Sequence, residues 1–243
     1  MKSTNYSYVG IAFIVLIFGI IFIPKIIDRI QNNDVTREES RSDDVKLQTK
    51  DDTQLLYLVI NGEQKKVMPF SFINQNGEVI TNKDFEGKVY LVEFFFTTCP
   101  TICPMMNDQM LLIQEAFAKN SNFGMASISI TPKIDTQEVL KDYAINNGIT
   151  HKNWHLLSGK SEEEVFNLSN NGFKLYAGID ENIDHGGFEH SGLFALVDKK
   201  GVIRSRKDAQ GNPILYYRAI EENGFPNQIN ELKEDIKILL DEY

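Results

Sequence analysis

Cysteine is nearly missing from this chain: two residues in 243. That is too few for a disulfide-built secreted scaffold, so whatever the two do, they do as a pair. Basic residues are also in short supply, 25 against 34 acids, for a formal net charge of −9. A nucleic-acid binder needs a basic face to displace counterions, and this balance argues against one. Internal repeats and low-complexity runs are lacking. A mean hydropathy of −0.26 excludes a polytopic membrane protein. What is present is ordinary for a globular chain: 42% hydrophobic, 24% charged and 11% aromatic residues. Those values rule out a wholly disordered or fibrous protein. The length has room for one good-sized domain, or one domain with an anchor and a tether.

Charge is absent altogether from residues 3–24, and 8–23 are apolar apart from Tyr8 and two glycines. As a helix this stretch would be roughly 33 Å long, enough to cross a bilayer core of about 30 Å. A cleaved signal peptide would want a shorter apolar region and a small-x-small site. Here Ile21, Phe22, Ile23 and Pro24 follow instead. The expectation is one retained N-terminal transmembrane helix, with residues 1–29 as the anchor. Charge leaves its orientation open, with Lys2 on one side and Lys25 and Arg29 on the other. No Arg-rich, Ser-rich presequence precedes it, which points to a bacterial inner membrane. Residues 30–53 hold seven acids and four bases around Ile30, Val35, Val45 and Leu47. Such a segment cannot bury enough surface to offset its ordering entropy, and reads as a flexible tether. Residues 54–243 form the domain. The chain beyond Arg29 carries −11, which favours a partner with a basic docking surface.

The domain is regularly patterned. Residues 67–73 and 79–80 flank Asn74-Gln75-Asn76-Gly77, a hairpin signal. Residues 89–96 are almost continuously apolar, as in a strand covered on both faces. Met106, Met110, Ile113 and Phe117 recur at helical spacing within 104–119. A strand over 125–130 follows. Asp135 and Glu138 then open a helix that Gly148 stops. A short strand over 154–157 and a helix capped by Ser161 and Glu164 come next. Residues 193–197 and 202–204 make a second hairpin, and 229–240 a closing amphipathic helix. The fold class is therefore α/β, a central mixed sheet with flanking helices.

Chemistry concentrates at Phe96-Thr97-Thr98-Cys99-Pro100-Thr101-Ile102-Cys103-Pro104, directly after the buried strand. Ligands gather at the carboxyl ends of strands in such sheets. Proline costs nothing at a first helical position, so the helix is expected to begin at Pro104 with Cys103 as its cap. The helix dipole would then favour the Cys103 thiolate. Two cysteines so spaced can form a disulfide or grip a soft metal ion. Inert buried cysteines would have no reason for flanking prolines at a strand-to-helix junction. The C-x-x-x-C spacing also differs from the C-x-x-C of thioredoxin-type oxidoreductases. A soft ion needs a third ligand, and His190, just before strand 193–197, is the best placed of four histidines. His185 is a weaker candidate in a Gly-rich loop. His151 and His155 read as structural or surface residues. Gly159-Lys160-Ser161 lacks the first glycine of a phosphate loop, where Trp154 stands. Met105, Met106 and Met110 are possible soft ligands, but Met106 and Met110 are better read as core.

The cysteine motif with Ile134 to Leu140, Trp154 to Gly159 and Glu189-His190-Ser191 resembles the Sco/SenC family, over about residues 68–240. These are membrane-tethered, thioredoxin-like proteins that help deliver copper to cytochrome c oxidase. The resemblance implies a thioredoxin-like fold and copper on Cys99, Cys103 and His190. It also implies a single-pass inner-membrane anchor with the domain on the periplasmic, oxidising side. Departures are Thr131-Pro132 where the family usually has Asp-Pro, Lys133 where an acid is common, and Glu189 where an Asp precedes the histidine. Residues 207–225 match nothing assignable. The expected function is a metallochaperone, not an enzyme, binding Cu(I) or transiently Cu(II). Its partners would be the copper-bearing subunit of cytochrome c oxidase or another membrane-bound acceptor, and a thiol reductant. The alternatives are a metal-free thiol–disulfide reductase working through Cys99 and Cys103, and a redox-sensing interaction module.

Overall fold

The computed structural model describes residues 12, 15–20, 22–24, 45–48, 55–180, 186–208, 210–221 and 224–242. The chain divides into two units, Met1–Asp43 and Asp44–Tyr243. In the first, residues 12, 15–20 and 22–24 are helical, and the rings of Phe18 and Phe22 stack 4.0 Å apart. The remainder of the expected anchor lies outside the described residues. Among the described residues no helix is long and apolar enough to cross a membrane. The expected tether also lies outside them, except for 45–48. These four form a strand of the second unit rather than part of a free spacer.

The second unit is built on one mixed sheet. Its strands in chain order are β1 (Val45–Gln48), β2 (Leu56–Ile60), β3 (Glu63–Gln64), β4 (Ser71–Asn74), β5 (Val79–Thr81), β6 (Val89–Phe95) and β7 (Phe123–Ser129). They continue with β8 (Trp154–Ser158), β9 (Ala177–Ile179), β10 (Phe188–His190), β11 (Leu193–Val197), β12 (Ile203–Lys207), β13 (Pro213–Ile214) and β14 (Tyr217–Arg218). The α-helices of this unit are α1 (Ile102–Phe117), α2 (Gln137–Asn146), α3 (Glu162–Asn167) and α4 (Ile229–Asp241). Across the sheet the order is β1-β2-β12-β11-β6-β7-β8-β4-β5, with β9 and β10 forming a separate pair. Strands β6, β7 and β8 run parallel, while β11 and β4 pair antiparallel on either side of them.

The parallel centre is buried because helical crossovers cover it, and its sequence shows this. Every residue of β6 and β7 is buried, and Glu93 is the charged side chain among them. Neighbouring side chains point to opposite faces of a strand. Phe94 meets Phe173 at 5.7 Å and Phe95 meets Tyr143 of α2 at 5.6 Å, so the chain covers both faces. Helix α1 buries Cys103, Met106, Met110, Ile113 and Phe117, a stripe at helical spacing. Met106 and Met110 are fully buried, which bears out their reading as core, whereas Met105 is 47% exposed. Burial of each such side chain contributes about 1.5–3 kcal/mol.

The expected hairpins form as β4–β5 and β11–β12. Asn74 Oδ1 accepts the Asn76 and Glu78 amides to shape the first turn, and Gly77 takes φ +80° there. Residues 207–225 also acquire a place. Strand β13 pairs with β12, and β14 pairs with β11 through Leu193↔Arg218 and Phe194↔Tyr217. The Tyr217 hydroxyl donates to the buried Asp235 of α4 at 2.7 Å, tying this segment to the closing helix.

Candidate metal centre

Strand β6 ends at Phe95, and the chain turns so that the Cys99 amide donates to the Phe96 carbonyl at 3.2 Å. Helix α1 begins at Ile102 with Thr101 at its cap, two residues earlier than expected. Cys103 is thus the second helical residue and Pro104 the third. A helix leaves its first four N–H groups without intrahelical acceptors, so proline is tolerated anywhere in this first turn, not only at its first position. The shift reverses the roles of the two thiols. The neighbouring Cys103 side chain, and the Thr101 hydroxyl 3.5 Å from Cys99 Sγ, hold the Cys99 thiol well below the usual range, against the effect of burial. Burial pushes the Cys103 thiol up, as does sharing space with Cys99. The two thiols are thus pushed apart, Cys99 toward the thiolate and Cys103 away from it.

His190 ends β10, which pairs antiparallel with β9 in the register His190↔Ala177. The Ser191 amide fixes the same corner by donating to Tyr176 O at 3.0 Å. His190 Nδ1 lies 3.2 Å from Ser191 O. A carbonyl can only accept, so Nδ1 donates there and Nε2 is the nitrogen turned toward the sulfurs. That Nε2 is 3.0 Å from Cys103 Sγ. The ligand atoms of Cys99, Cys103 and His190 all lie within 4.8 Å of one another, and all three residues are buried. Among the described residues this is the one group of three or more Cys, His, Asp or Glu side chains so disposed. Two sulfurs and an imidazole nitrogen suit a soft ion.

The remaining histidines are accounted for separately. His185 lies outside the described residues. His151 Nδ1 accepts the Asn153 amide at 3.1 Å, and His155 Nδ1 lies 3.1 Å from Asn74 Nδ2, so both serve the scaffold.

The centre opens into a cavity of about 670 Å³ whose wall includes Phe96, Cys99, Tyr176, His190, Arg218 and Ile220. Phe96 packs edge-on against the His190 ring at 5.9 Å. Arg218 and Ile220 come from the unassigned segment, so β14 builds part of the site's wall.

Sequence reasoning placed Asp135 at a helix cap, and the structure corrects this. Thr136 caps α2, its hydroxyl accepting the Val139 amide, while Asp135 is fully buried. Its carboxylate receives the Thr97 amide at 3.2 Å, the Thr97 hydroxyl, the Ser129 hydroxyl at 2.6 Å and the Thr131 hydroxyl at 3.0 Å. A local pattern of Asp followed by Thr and Glu reads as a cap in either case; only the neighbouring strand reveals the donors. Thr131, at the position of the family's usual acid, is one of them.

The SCO1/SenC family model matches residues 59–223, more than half of the chain, and the protein therefore belongs to the SCO1/SenC family. That match includes most of the segment for which no assignment was at hand. Among individual relatives, the SCO1 protein homolog of Bacillus subtilis is 31% identical over 169 residues, covering 69% of this chain and 81% of its own length. The structure of BsSco, described as a Sco-family cytochrome c oxidase assembly protein with a disulfide switch, is 27% identical. It covers 72% of this chain and 92% of its own, with a TM-score of 0.58. Copper-bound ScoI of Bradyrhizobium japonicum shares the fold at 22% identity and a TM-score of 0.53, over 72% of this chain and 99% of its own.

Proposed function

We propose that this protein is a copper-binding chaperone that carries copper to, or prepares the copper site of, cytochrome c oxidase. The observation that carries the reading is the convergence of Cys99, Cys103 and His190 within 4.8 Å, with His190 Nε2 free to coordinate 3.0 Å from Cys103 Sγ. Copper is the cargo. Thiolates hold Cu(I), and the imidazole extends the set toward Cu(II). Copper bound to Sco relatives, and the place of BsSco among cytochrome c oxidase assembly proteins, support the choice of metal and recipient. The uncharged run over 3–24 supports an N-terminal membrane anchor, and the family resemblance supports a domain on the oxidising side. There it would meet a membrane-bound acceptor at high effective concentration.

Metal content of the full-length chain purified under reducing conditions tests this. One copper per chain is expected. Cys99→Ala and Cys103→Ala each abolish retention, and His190→Ala weakens Cu(II) far more than Cu(I). Unchanged affinity for both ions in His190→Ala would remove the third ligand.

A second reading, a metal-free thiol–disulfide reductase, is favoured by one feature. Cys99, the less buried of the two cysteines, is also the one whose thiol is held below its usual range. A disulfide would occupy both sulfurs, so copper and disulfide exclude each other and each shifts the other's equilibrium. Cu(I), which binds only the dithiol, is expected to raise the reduction potential of the disulfide. A potential that ignores Cu(I), in a protein that retains no copper, favours the reductase.

A further inference from the structure

We infer that the buried Asp135 carboxylate is a positioning residue for the metal loop, holding Cys99 in place through Thr97. The two cysteines are supported differently. Cys103 lies within α1 and needs nothing beyond the helix to fix its backbone. Cys99 sits in the loop between β6 and α1, where its amide reaches only as far as Phe96 O. Two residues before it, Thr97 makes the bonds that join this loop to a neighbouring part of the sheet. Its amide donates to Asp135 Oδ2 and its hydroxyl to Oδ1.

The parallel register explains why this contact exists. Phe95 of β6 lies opposite Ser129 of β7, so both chains leave the sheet side by side. The turn after β7, closed by the Ile134 and Asp135 amides on Thr131 O, brings Asp135 back across that gap. The Ser129 and Thr131 hydroxyls anchor the carboxylate from the β7 side while Thr97 takes it from the β6 side. Four donors meet two carboxylate oxygens, a number a carboxylate can accept and a hydroxyl cannot. Such an outer contact fixes a ligand's position before the ion arrives, so that binding does not have to order the loop.

This inference rests on reading Cys99 as a ligand, and its test separates the two. Thr97→Val in the full-length chain removes the hydroxyl link while keeping side-chain shape, and Thr97→Ser keeps the link. Ser129→Ala is the control, because it strips a donor from the same carboxylate without touching the loop. Circular dichroism confirms folding of each variant. Thr97→Val is expected to weaken Cu(I) binding about tenfold, the scale of one lost hydrogen bond to a charged group, and to alter the Cu(II) absorption and EPR signature. Thr97→Ser stays within about twofold. Ser129→Ala lowers the melting temperature and leaves the copper signature in place. A second readout needs no copper: iodoacetamide alkylation of the buried Cys99 in metal-free protein, located by peptide mass, should be severalfold faster in Thr97→Val. Absence of copper binding in the unsubstituted chain would overturn the copper reading alone, and alkylation would still decide the role of Asp135. Thr97→Val with unsubstituted alkylation rates, or with an unchanged copper affinity and spectrum where copper binds, overturns the inference.

Discussion

Two regions of the central sheet each bury a carboxylate, and they treat it in opposite ways. At the end of β7, Asp135 is fully buried with four donors on its two oxygens. Midway along β6, Glu93 is 4% exposed and receives one donor, the Ser127 hydroxyl at 2.6 Å. Its Oε2 has no hydrogen-bond partner among the described residues. Burial pushes the Glu93 carboxyl up to about 7, with the Ser127 hydrogen bond pulling the other way. Where donors converge, a buried acid becomes a fastening point. Where a single donor serves it, burial dominates and the acid holds its proton toward neutrality.

The largest effect should come from breaking the satisfied region. Asp135→Ala strands the Thr97 amide and three hydroxyls in the interior, a loss of roughly 3–5 kcal/mol. Urea unfolding of metal-free protein measures it, and a loss under about 1 kcal/mol would mean that those donors find other partners.

Glu93 should instead show itself in the pH dependence. Its folded value near 7 lies above the ordinary 4.5, so between those limits the folded state binds more protons than the unfolded one. Its contribution is complete below about pH 4.5 and is lost as pH rises through 7, on the order of 3 kcal/mol in all. Glu93→Gln, which cannot ionise, should flatten this fall. An identical slope between pH 5 and 8 in the variant would assign the dependence to another group.

Ser127→Ala should cost about 2 kcal/mol, because it leaves two buried groups without a partner. Ser127 Oγ accepts from Trp154 Nε1 at 2.9 Å while donating to Glu93. Trp154 is the only tryptophan, so its emission should shift with the substitution. Unchanged emission would deny the connection between indole and carboxyl. Smallest of all, Lys133→Ala breaks an ion pair to Glu162 at 3.3 Å whose lysine is 75% exposed. Less than about 0.5 kcal/mol should follow. A larger loss would show that exposed charge on the turn after β7 supports the Asp135 region.

Much of this arrangement could be read along the chain. The nearly continuous apolar run of β6 declared a strand covered on both faces. The methionine and phenylalanine spacing declared α1, because a 3.6-residue repeat leaves a direct mark on sequence. The prolines around Cys99 and Cys103, and the position of His190 ahead of β11, pointed to the centre that the structure assembles. The β9–β10 pair that carries His190 was not legible. Its strands are three residues each, too short for alternation to register.

The sequence by itself determined the order of the longer elements, the faces they bury and the identity of the three converging side chains. Hydrophobic period, turn residues and side-chain chemistry are local properties, and they survive translation from chain to fold. The tertiary structure alone decided which way the two thiols are shifted, which donors converge on Asp135, and how β14 comes to wall the cavity with Arg218. Each of those depends on atoms distant in sequence and adjacent in space. The Thr97 contact spans 38 residues and the Cys103–His190 contact 87. Hydrogen bonds and burial act over a few ångströms, so their effects appear only once the parallel strands have set the register.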